Sequence, residues 1–326
     1  PAILYFGALF MAVHFEARRV GMVGLPKSEL PSLKKTLVNS GHLFIPLVVI
    51  VGVLIAGFSA PFAALCGIFS VFPTIMLRKS SRQHLNAQNM LEALVEGAKN
   101  AVGVALACGC AGIVIGVIAL SGLGIEFTSF VLDISQNSLV IALFFTMLAG
   151  IILGMGMPTT PAYIMQVALL VPAVVKLGVS IEAAHMFVFY FAILSAITPP
   201  VALAVYAANG ISGAGLWESG VAAVKLGLTG YIIPFMFVFG PSLLLIGPWS
   251  TIALTTISAS CGVVLLAAGL HGFFITHASW WQRVLMVAAA ISLIKPGLYT
   301  DLAGAGLATI VVIAQLIERR RLQTAS

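Results

Sequence analysis

The feature of this sequence that most limits its possible folds is a series of long apolar runs that contain almost no charged residues. A helix crosses the hydrocarbon core of a bilayer with about 20 residues, at a rise of about 1.5 Å each. Only 8% of the residues are charged, whereas a soluble domain carries about 25%. The sequence therefore predicts an all-α, polytopic membrane protein and excludes a soluble enzyme, a nucleic-acid-binding domain and a disordered chain. The runs fall near residues 2–17, 43–58, 61–77, 100–121, 138–154, 161–177, 183–210, 228–247, 251–270, 281–295 and 302–318.

The basic residues are distributed unequally between alternate connections of these runs. All 16 lysines and arginines except Lys176 and Lys295 lie in one set of connections. Because basic residues stay on the cytoplasmic side of a membrane, this set is predicted to be cytoplasmic. It comprises 18–42, 78–99, 212–226 and the C-terminus, and within it 84–99 and 211–226 are interpreted as interfacial or connecting helices. The connection 122–137, which has two acids and no base, is predicted to be an external loop.

A glycine- and proline-rich stretch interrupts the apolar sequence at residues 150–164, which read G-I-I-L-G-M-G-M-P-T-T-P-A-Y-I. The flanking runs, 138–154 and 161–177, are joined without any charged residue. A loop between two full spans normally carries polar residues, so the pattern favours a re-entrant hairpin whose tip stays inside the membrane. Charge parity leaves both arrangements open, because a hairpin and two full spans return the chain to the same side.

Two adjacent prolines, Pro199 and Pro200, interrupt the long apolar run 183–210. Proline removes an amide donor and clashes with the preceding turn, so the helix is expected to break before this pair. In both interrupted stretches a threonine, Thr160 or Thr198, directly precedes a proline. These threonines are predicted to be N-caps of half-helices that begin near the midplane. Discontinuous helices are typical of secondary transporters, and a purely structural proline kink is the alternative.

The positions of the acidic residues bear on which ion could drive transport. None of the ten lies in either interrupted stretch, although proton-coupled transporters often use intramembrane carboxylates. A coupling cation would therefore be held by carbonyl and hydroxyl oxygens, which favours sodium over protons. The sequence contains no catalytic triad or metal-ligand spacing, so neither an enzyme nor a cofactor is expected.

Three of the six histidines are interpreted as structural groups without chemistry. His185 is predicted to be an interfacial anchor at the start of the helix that breaks near Thr198. His271 and His277, with two neighbouring tryptophans, are predicted to form an aromatic belt beside Arg283.

Three ordered motifs resemble one protein family. They are G-M-G-M-P-T-T-P-A-Y-I at 154–164, A-H-M-F-V-F-Y-F at 184–191 and S-A-I-T-P-P-V-A-L-A-V-Y-A-A-N-G-I-S-G at 195–213. With them the chain resembles the large membrane subunit of tripartite ATP-independent periplasmic (TRAP) transporters, and most closely the fused permease form. The resemblance extends more loosely from the start to about residue 247, and 251–326 is similar to the additional C-terminal helices of some fused permeases.

This resemblance implies an elevator-type ion transporter built from inverted repeats, each with a re-entrant hairpin and a broken helix. It implies sodium-driven uptake of organic anions, mostly carboxylates, across a bacterial inner membrane, with a cytoplasmic C-terminus. The implied partners are a periplasmic substrate-binding protein and membrane lipid, with no nucleic acid and no cofactor besides Na⁺ as the coupling ion. The residues implied to line the sodium and substrate sites are Gly154, Gly156, Pro158, Thr159, Thr160, Thr198, Pro199 and Pro200.

The predicted organisation has three parts. Residues 1–42 hold a first helix and a cytoplasmic connecting segment, 43–247 the second inverted repeat and 248–326 additional transmembrane helices. Within the repeat, the hairpin is placed at about 138–177 and the broken helix at about 183–210. The first repeat and the small-subunit region are expected to precede this chain, which would then hold about half of the transport site. The main alternative is a non-transporting membrane scaffold in which both breaks are kinks.

Overall fold

The computed structural model describes residues 1–26, 28–77, 82, 86–136, 138–294 and 297–325. In these residues the regular structure is helical, apart from one isolated β-bridge between Phe273 and His277. The predicted all-α fold is therefore confirmed. Four basic residues of the charge pattern, Lys27, Arg78, Lys79 and Lys295, lie outside the described residues, as do residues 84 and 85 of the predicted interfacial segment.

The α-helices are numbered here in chain order. They are α1 (Ala2–Arg19), α2 (Leu33–Ser40), α3 (Ile45–Ile55), α4 (Ala60–Met76), α5 (Ala87–Ser121), α6 (Leu123–Ser135), α7 (Leu139–Gly154), α8 (Thr159–Lys176), α9 (Ile181–Leu194), α10 (Leu203–Ser212), α11 (Leu216–Phe239), α12 (Trp249–His271), α13 (Trp280–Ile294) and α14 (Leu298–Ala325). The chain divides into two compact units, one of residues 1–23 and 104–326 and the other of residues 24–103.

Six helical segments of the described chain are long and apolar enough to cross a membrane. They are Leu33–Ile55, Ala87–Ser121, Thr159–Lys176, Leu216–Phe239, Trp249–His271 and Tyr299–Arg321. Many of their large apolar side chains are exposed, as lipid-facing or partner-facing side chains would be. The predicted polytopic membrane protein is confirmed at this level.

The unit of residues 24–103 is built around the antiparallel neighbours α3 and α4. A Cβ added at Gly67 would lie 2.5 Å from Cγ1 of Ile50, so the glycine lets the two helices approach closely. Ser32 starts α2 by accepting a hydrogen bond from the Lys35 amide at 3.2 Å, which satisfies one of the free donors at a helix start.

Two helices, α6 and α5, differ from the sequence prediction. Residues 122–137 were expected as an external loop, but α6 occupies 123–135 and packs against α7 and α8. Its Thr128 hydroxyl donates to the Gly124 carbonyl at 2.8 Å, so polar side chains are satisfied within the helix. The segment 84–99 is not a separate interfacial helix, because its described residues from Ala87 onward belong to the 35-residue helix α5.

Three helices around the interrupted stretches are too short to cross a bilayer alone. Helices α7, α9 and α10 contain 16, 14 and 10 residues. At about 1.5 Å per residue their lengths are about 24, 21 and 15 Å, whereas the hydrocarbon core is about 30 Å thick. None of them is therefore long enough to span the hydrocarbon core by itself.

Aromatic packing fixes α9 at the centre of the larger unit. Phe187 and Phe191 are fully buried, and the Phe187 ring lies 5.3 Å from that of Phe235 on α11 in an edge-to-face arrangement. His185 bonds the Tyr163 hydroxyl of α8 at 2.8 Å. Because lipid is as apolar as these side chains, close packing and such hydrogen bonds hold membrane helices together. The helix that leads to the second break is thus rigidly placed against α8 and α11.

Candidate functional site

The first interruption is the tip of a helical hairpin formed by α7 and α8. Helix α7 ends at Gly154 and α8 begins at Thr159, so only four residues connect the two arms. Gly156 makes the turn with φ of +75°, a conformation that glycine adopts without the steric cost of a side chain. Gly156 and Pro158 are exposed, and Gly154 is buried. The two exposed residues of the tip are therefore a glycine and a proline, neither of which has a long side chain.

The second interruption is a break of eight residues between α9 and α10, of which the last five follow a short 3-10 turn. After Leu194 the chain makes a short 3-10 turn, Ser195–Ile197, and the helix resumes only at Leu203. The peptide bond between Pro199 and Pro200 is cis. The Tyr206 hydroxyl donates to the Pro200 carbonyl at 2.7 Å, which ties the extended segment to the start of α10. The helix breaks where the proline pair predicts it.

Neither threonine is the N-cap that the sequence suggested. Thr198 lies at the end of the 3-10 turn, where its hydroxyl donates to the Leu194 carbonyl at 2.7 Å and contacts the Tyr231 hydroxyl at 2.6 Å. The hydroxyl thus bonds a backbone carbonyl at the end of α9 instead of a backbone amide at the start of α10. The N-cap position of α8 is Pro158, and Thr160 lies within the first turn. The restricted backbone of Pro158 starts the helix two residues earlier than expected.

The hairpin tip packs directly against the break. A Cβ added at Gly154 would lie 2.5 Å from Oγ of Ser195 and 2.9 Å from its Cβ. One added at Gly156 would lie 3.3 Å from the Val201 side chain. On the other side of the break, a Cβ at Gly220 would lie 2.9 Å from Cγ of Pro199. Glycines at these positions allow the two interrupted stretches and α11 to meet.

Gln166 of α8 joins the two arms of the hairpin inside the packed core. Its side chain is fully buried, and Nε2 donates to the Gly150 carbonyl at 2.8 Å. The glycines at 150 and 154, one turn apart on α7, leave room for this amide, since Cβ atoms there would lie 3.3 Å from Oε1 and 2.9 Å from Nε2. Among the described residues Oε1 has no hydrogen-bond partner. Such buried oxygens are uncommon and often mark a place for an ion or water.

A sequence profile of the family described as the tripartite ATP-independent periplasmic transporter, DctM component, matches residues 1–252. The chain belongs to this family. No curated protein and no solved structure matched it. The resemblance seen in the sequence motifs is confirmed, since the hairpin and the break both lie inside the matched range. DctM membership indicates a transporter permease rather than an enzyme, and it implies a periplasmic binding protein as a partner.

The DctM match ends soon after the start of α12. Most of α12 and all of α13 and α14 therefore lie outside it. Each of these three helices packs against its neighbour along the chain, and small residues lie at the contacts. A Cβ at Gly262 would lie 3.2 Å from the Ala290 carbonyl, and one at Gly304 would lie 3.0 Å from that of Ala289. Such close backbone approach is the usual basis of helix association in membranes.

In this DctM component the structure brings some of the predicted site residues together and leaves others apart. Gly154 and Gly156 meet the break, and Pro199 contacts α11 at its far side. Thr159, half-buried, and Thr160, exposed, lie in the first turn of α8 and take part in none of these approaches. Pro200 is exposed and Thr198 half-buried.

Sequence reasoning did not single out three polar side chains at the candidate site. Ser195 contacts Gly154, Gln166 links the two arms of the hairpin through the Gly150 carbonyl, and the Tyr231 hydroxyl bonds that of Thr198. Gln166 carried a usable signal, because it is the only amide side chain between residues 139 and 176 and such a group in a membrane segment needs a partner. Tyr231 could not be found this way, since 33 residues separate it from Thr198.

Proposed function

We propose that this DctM component is the membrane permease part of a sodium-coupled, binding-protein-dependent secondary transporter that imports organic anions, with carboxylates as the substrate class. The observation that carries the proposal is the contact between the hairpin tip and the broken helix at Gly154 and Ser195. Two interrupted helices that meet in an otherwise apolar bundle supply exposed backbone dipoles within the membrane. A non-transporting scaffold has no need of such a pair.

One oxygen at this contact suits a hard cation, because Oε1 of Gln166 is buried and unpartnered among the described residues. The Thr160 hydroxyl, exposed in the first turn of α8 away from the contact, is a second candidate ligand. Neither interrupted stretch contains an acidic residue. An oxygen set without a carboxylate favours sodium over a proton as the coupling ion, because a proton relay normally uses ionisable groups.

The start of α8 suits an anionic substrate group. The first amides of a helix have no partner within it and carry a partial positive charge. At α8 these are the amides of Thr159 and Thr160, while Pro161 has no amide and Ala162 already bonds the Pro158 carbonyl at 3.2 Å. Neither interrupted stretch carries a basic residue. A carboxylate would therefore be met by these amides or by groups outside this chain.

The proposed arrangement in the membrane follows from the helix lengths. Because α7, α9 and α10 are each shorter than the hydrocarbon core, we propose that α7 and α8 form a re-entrant hairpin and that α9 and α10 form one broken transmembrane helix. Together with the helices from residue 43 onward they would form one of two inverted repeats. The helices from residue 248 would be an addition to that repeat in a bacterial inner membrane, with the C-terminus in the cytoplasm.

The test is uptake by the assembled transporter that contains this chain, reconstituted in proteoliposomes with its periplasmic binding protein. A panel of labelled carboxylates is offered with a sodium gradient, with a proton gradient and with neither. We expect uptake of at least one carboxylate that requires both sodium and the binding protein. Equal uptake with a proton gradient would overturn the coupling, and no uptake by folded, correctly oriented protein would favour the scaffold.

Substitution of Thr198 tests the end of α9. Thr198→Val removes the hydroxyl that bonds Leu194 and Tyr231, and we expect initial uptake to fall by about two- to tenfold, the factor that corresponds to one net hydrogen bond. Thr160→Val should instead raise the sodium concentration needed for half-maximal uptake. The matched control is Thr309→Val, since the Thr309 hydroxyl also bonds a carbonyl four residues earlier, at 2.7 Å, on α14. Wild-type uptake by Thr198→Val would contradict this role.

A further inference from the structure

A second polar site lies away from the hairpin, where one end each of α1, α12 and α13 meets the first half of α11. A cavity of about 350 Å³ opens there, lined by Arg19, Lys225, His271, Gly272, His277 and Arg283. The volume is within the range of ligand pockets, about 300–1,000 Å³. Its lining is unusual in a chain with so few charges, because three of the 16 basic residues and two of the six histidines converge on it.

One carboxylate, Glu16, bonds three of the side chains that line this cationic cavity. Its oxygens accept hydrogen bonds from Arg19 at 2.6 and 3.0 Å and from Lys225 at 2.9 Å, and the His271 Nδ1 atom lies 3.1 Å away. A single negative charge thus holds two permanently cationic side chains and one histidine in place. Arg283 adds a further positive charge to the lining. The cluster therefore keeps an excess of positive charge after Glu16 is counted.

Arg283 is fixed as a donor at the end of α12. Its guanidinium donates to the carbonyls of Gly269 and Leu270, both at 2.9 Å. The chain then turns away at Gly272, which has φ of +72°, and a Cβ there would lie 3.4 Å from the guanidinium. Cations are favoured at a helix C-terminus, and these contacts leave the remaining guanidinium donors to the cavity.

His271 corrects the sequence interpretation of a surface belt. It is buried, with 2% of its surface exposed, and it lines the cavity. Among the described residues its Nε2 atom has no hydrogen-bond partner. Because the Nδ1–H of His271 faces the Glu16 carboxylate, the Nε2 of the neutral ring is an acceptor, which a headgroup hydroxyl in the cavity would satisfy.

The neighbouring tryptophans indicate the depth of the cavity. Trp280 and Trp281 begin α13, two to three residues before Arg283, and 78% and 40% of their surfaces are exposed. Tryptophan is enriched at the headgroup level of a bilayer. Arg19, Lys225 and Arg283 also belong to the basic set predicted to be cytoplasmic, where anionic lipids collect.

We propose that this cavity binds a phosphate group, carried by the headgroup of an anionic phospholipid, between α1, α11, α12 and α13. Arg19, Lys225 and Arg283 supply charged donors to the phosphate oxygens, and His277 lines the same wall. The bound headgroup would fasten α12 and α13, which lie mostly beyond the family match, to α1 and α11, which lie inside it. The proposal does not depend on the transport site, since the hairpin and the break contribute no residue to the cavity.

The test measures lipid binding to the purified full chain in neutral detergent. Fluorescent phosphatidylglycerol is titrated first, with phosphatidylcholine as the neutral lipid, and unlabelled inorganic phosphate is added as a competitor in a separate arm. We expect phosphatidylglycerol to bind at least about tenfold more tightly than phosphatidylcholine, the factor expected for a charged hydrogen bond gained or lost. Competition by phosphate without preference for phosphatidylglycerol would identify a soluble phosphate as the occupant of the same site.

One variant that removes a positive charge and one that removes a negative charge are expected to change lipid binding in opposite directions. Lys225→Gln should weaken phosphatidylglycerol binding by about tenfold, whereas Glu16→Gln should strengthen it, because the cations would lose their one competitor. The matched control is Arg320→Gln, an exposed cation of α14 that does not line the cavity. If Lys225→Gln does not fold, His277→Gln tests the same wall. Equal binding by wild type and the folded cavity variants, or weaker binding in Glu16→Gln that is folded, would overturn the proposal.

Discussion

Replacing Gly154 by valine is expected to reduce transport strongly while leaving most of the fold intact. A Cβ at this position would lie 2.5 Å from Oγ of Ser195 and 2.9 Å from Nε2 of Gln166, so the hairpin tip must move away from the break. Overpacking of this kind costs about 1–3 kcal/mol, and a displacement of about 1 Å at a functional site can reduce a rate about 100-fold. We therefore expect initial uptake to fall by at least about tenfold in proteoliposomes.

The control for this prediction is Gly306→Val on α14, where a Cβ would meet no atom within 4 Å. A second variant separates the contact from a general effect of the larger side chain. Gly154→Ala combined with Ser195→Gly removes both Ser195 atoms that a Cβ would strike, so it should recover part of the uptake lost in Gly154→Ala alone. Wild-type uptake by Gly154→Val would show that the tip and the break need not touch.

The sequence predicted those parts of the fold that local chemistry determines. The apolar runs correspond to helices, and the glycine-rich and proline-rich stretches correspond to the hairpin tip and the break. Glycine and proline change the backbone where they stand, whatever surrounds them. The positions of Gly156 and Pro199 could therefore be interpreted without any knowledge of their neighbours.

The parts that sequence did not predict depend on distant neighbours. Threonine is a common N-cap residue, but the Tyr231 hydroxyl forms a hydrogen bond with the Thr198 hydroxyl and keeps it at the end of α9. Residues 122–137 have the composition of a loop, but α6 packs on α7 and α8 and is stabilised by that contact. Helical stability comes mostly from such tertiary packing rather than from local propensity. The proposed division at residues 42 and 247 stays a prediction.

The same limit applies to the cationic cavity. The sequence assigns Arg19, Lys225 and Arg283 to one charge class, but 205 residues lie between Arg19 and Lys225, so the sequence does not show that they meet. The sequence places His271 in an aromatic belt because two tryptophans and Arg283 follow it. The fold instead turns back at Gly272, and this reversal buries the histidine against Glu16.

Replacing Gln315 by leucine is expected to give the largest loss of stability in the C-terminal helices. Gln315 is fully buried, and its Oε1 accepts hydrogen bonds from the amides of Ile275 and Thr276 at 2.9 and 3.2 Å. Its Nε2 donates to Gln282 at 3.0 Å. Because each buried group left without a partner costs about 1–3 kcal/mol, the free energy of unfolding should fall by about 2–5 kcal/mol. Denaturant titration in detergent measures this change.

Gln88→Leu is the matched control, since Gln88 is exposed and its side-chain amide donates to Glu92 of the same helix at 3.0 Å. Its effect should stay within about 0.5 kcal/mol, as for ordinary surface changes. Gln282→Leu tests whether the two buried amides act as one network, because Gln282 also accepts from the Ser279 amide at 3.0 Å. If they do, the double variant loses less stability than the sum of the single variants. Strictly additive losses would mean that Gln315 acts only on the turn at Ile275 and Thr276, without help from Gln282.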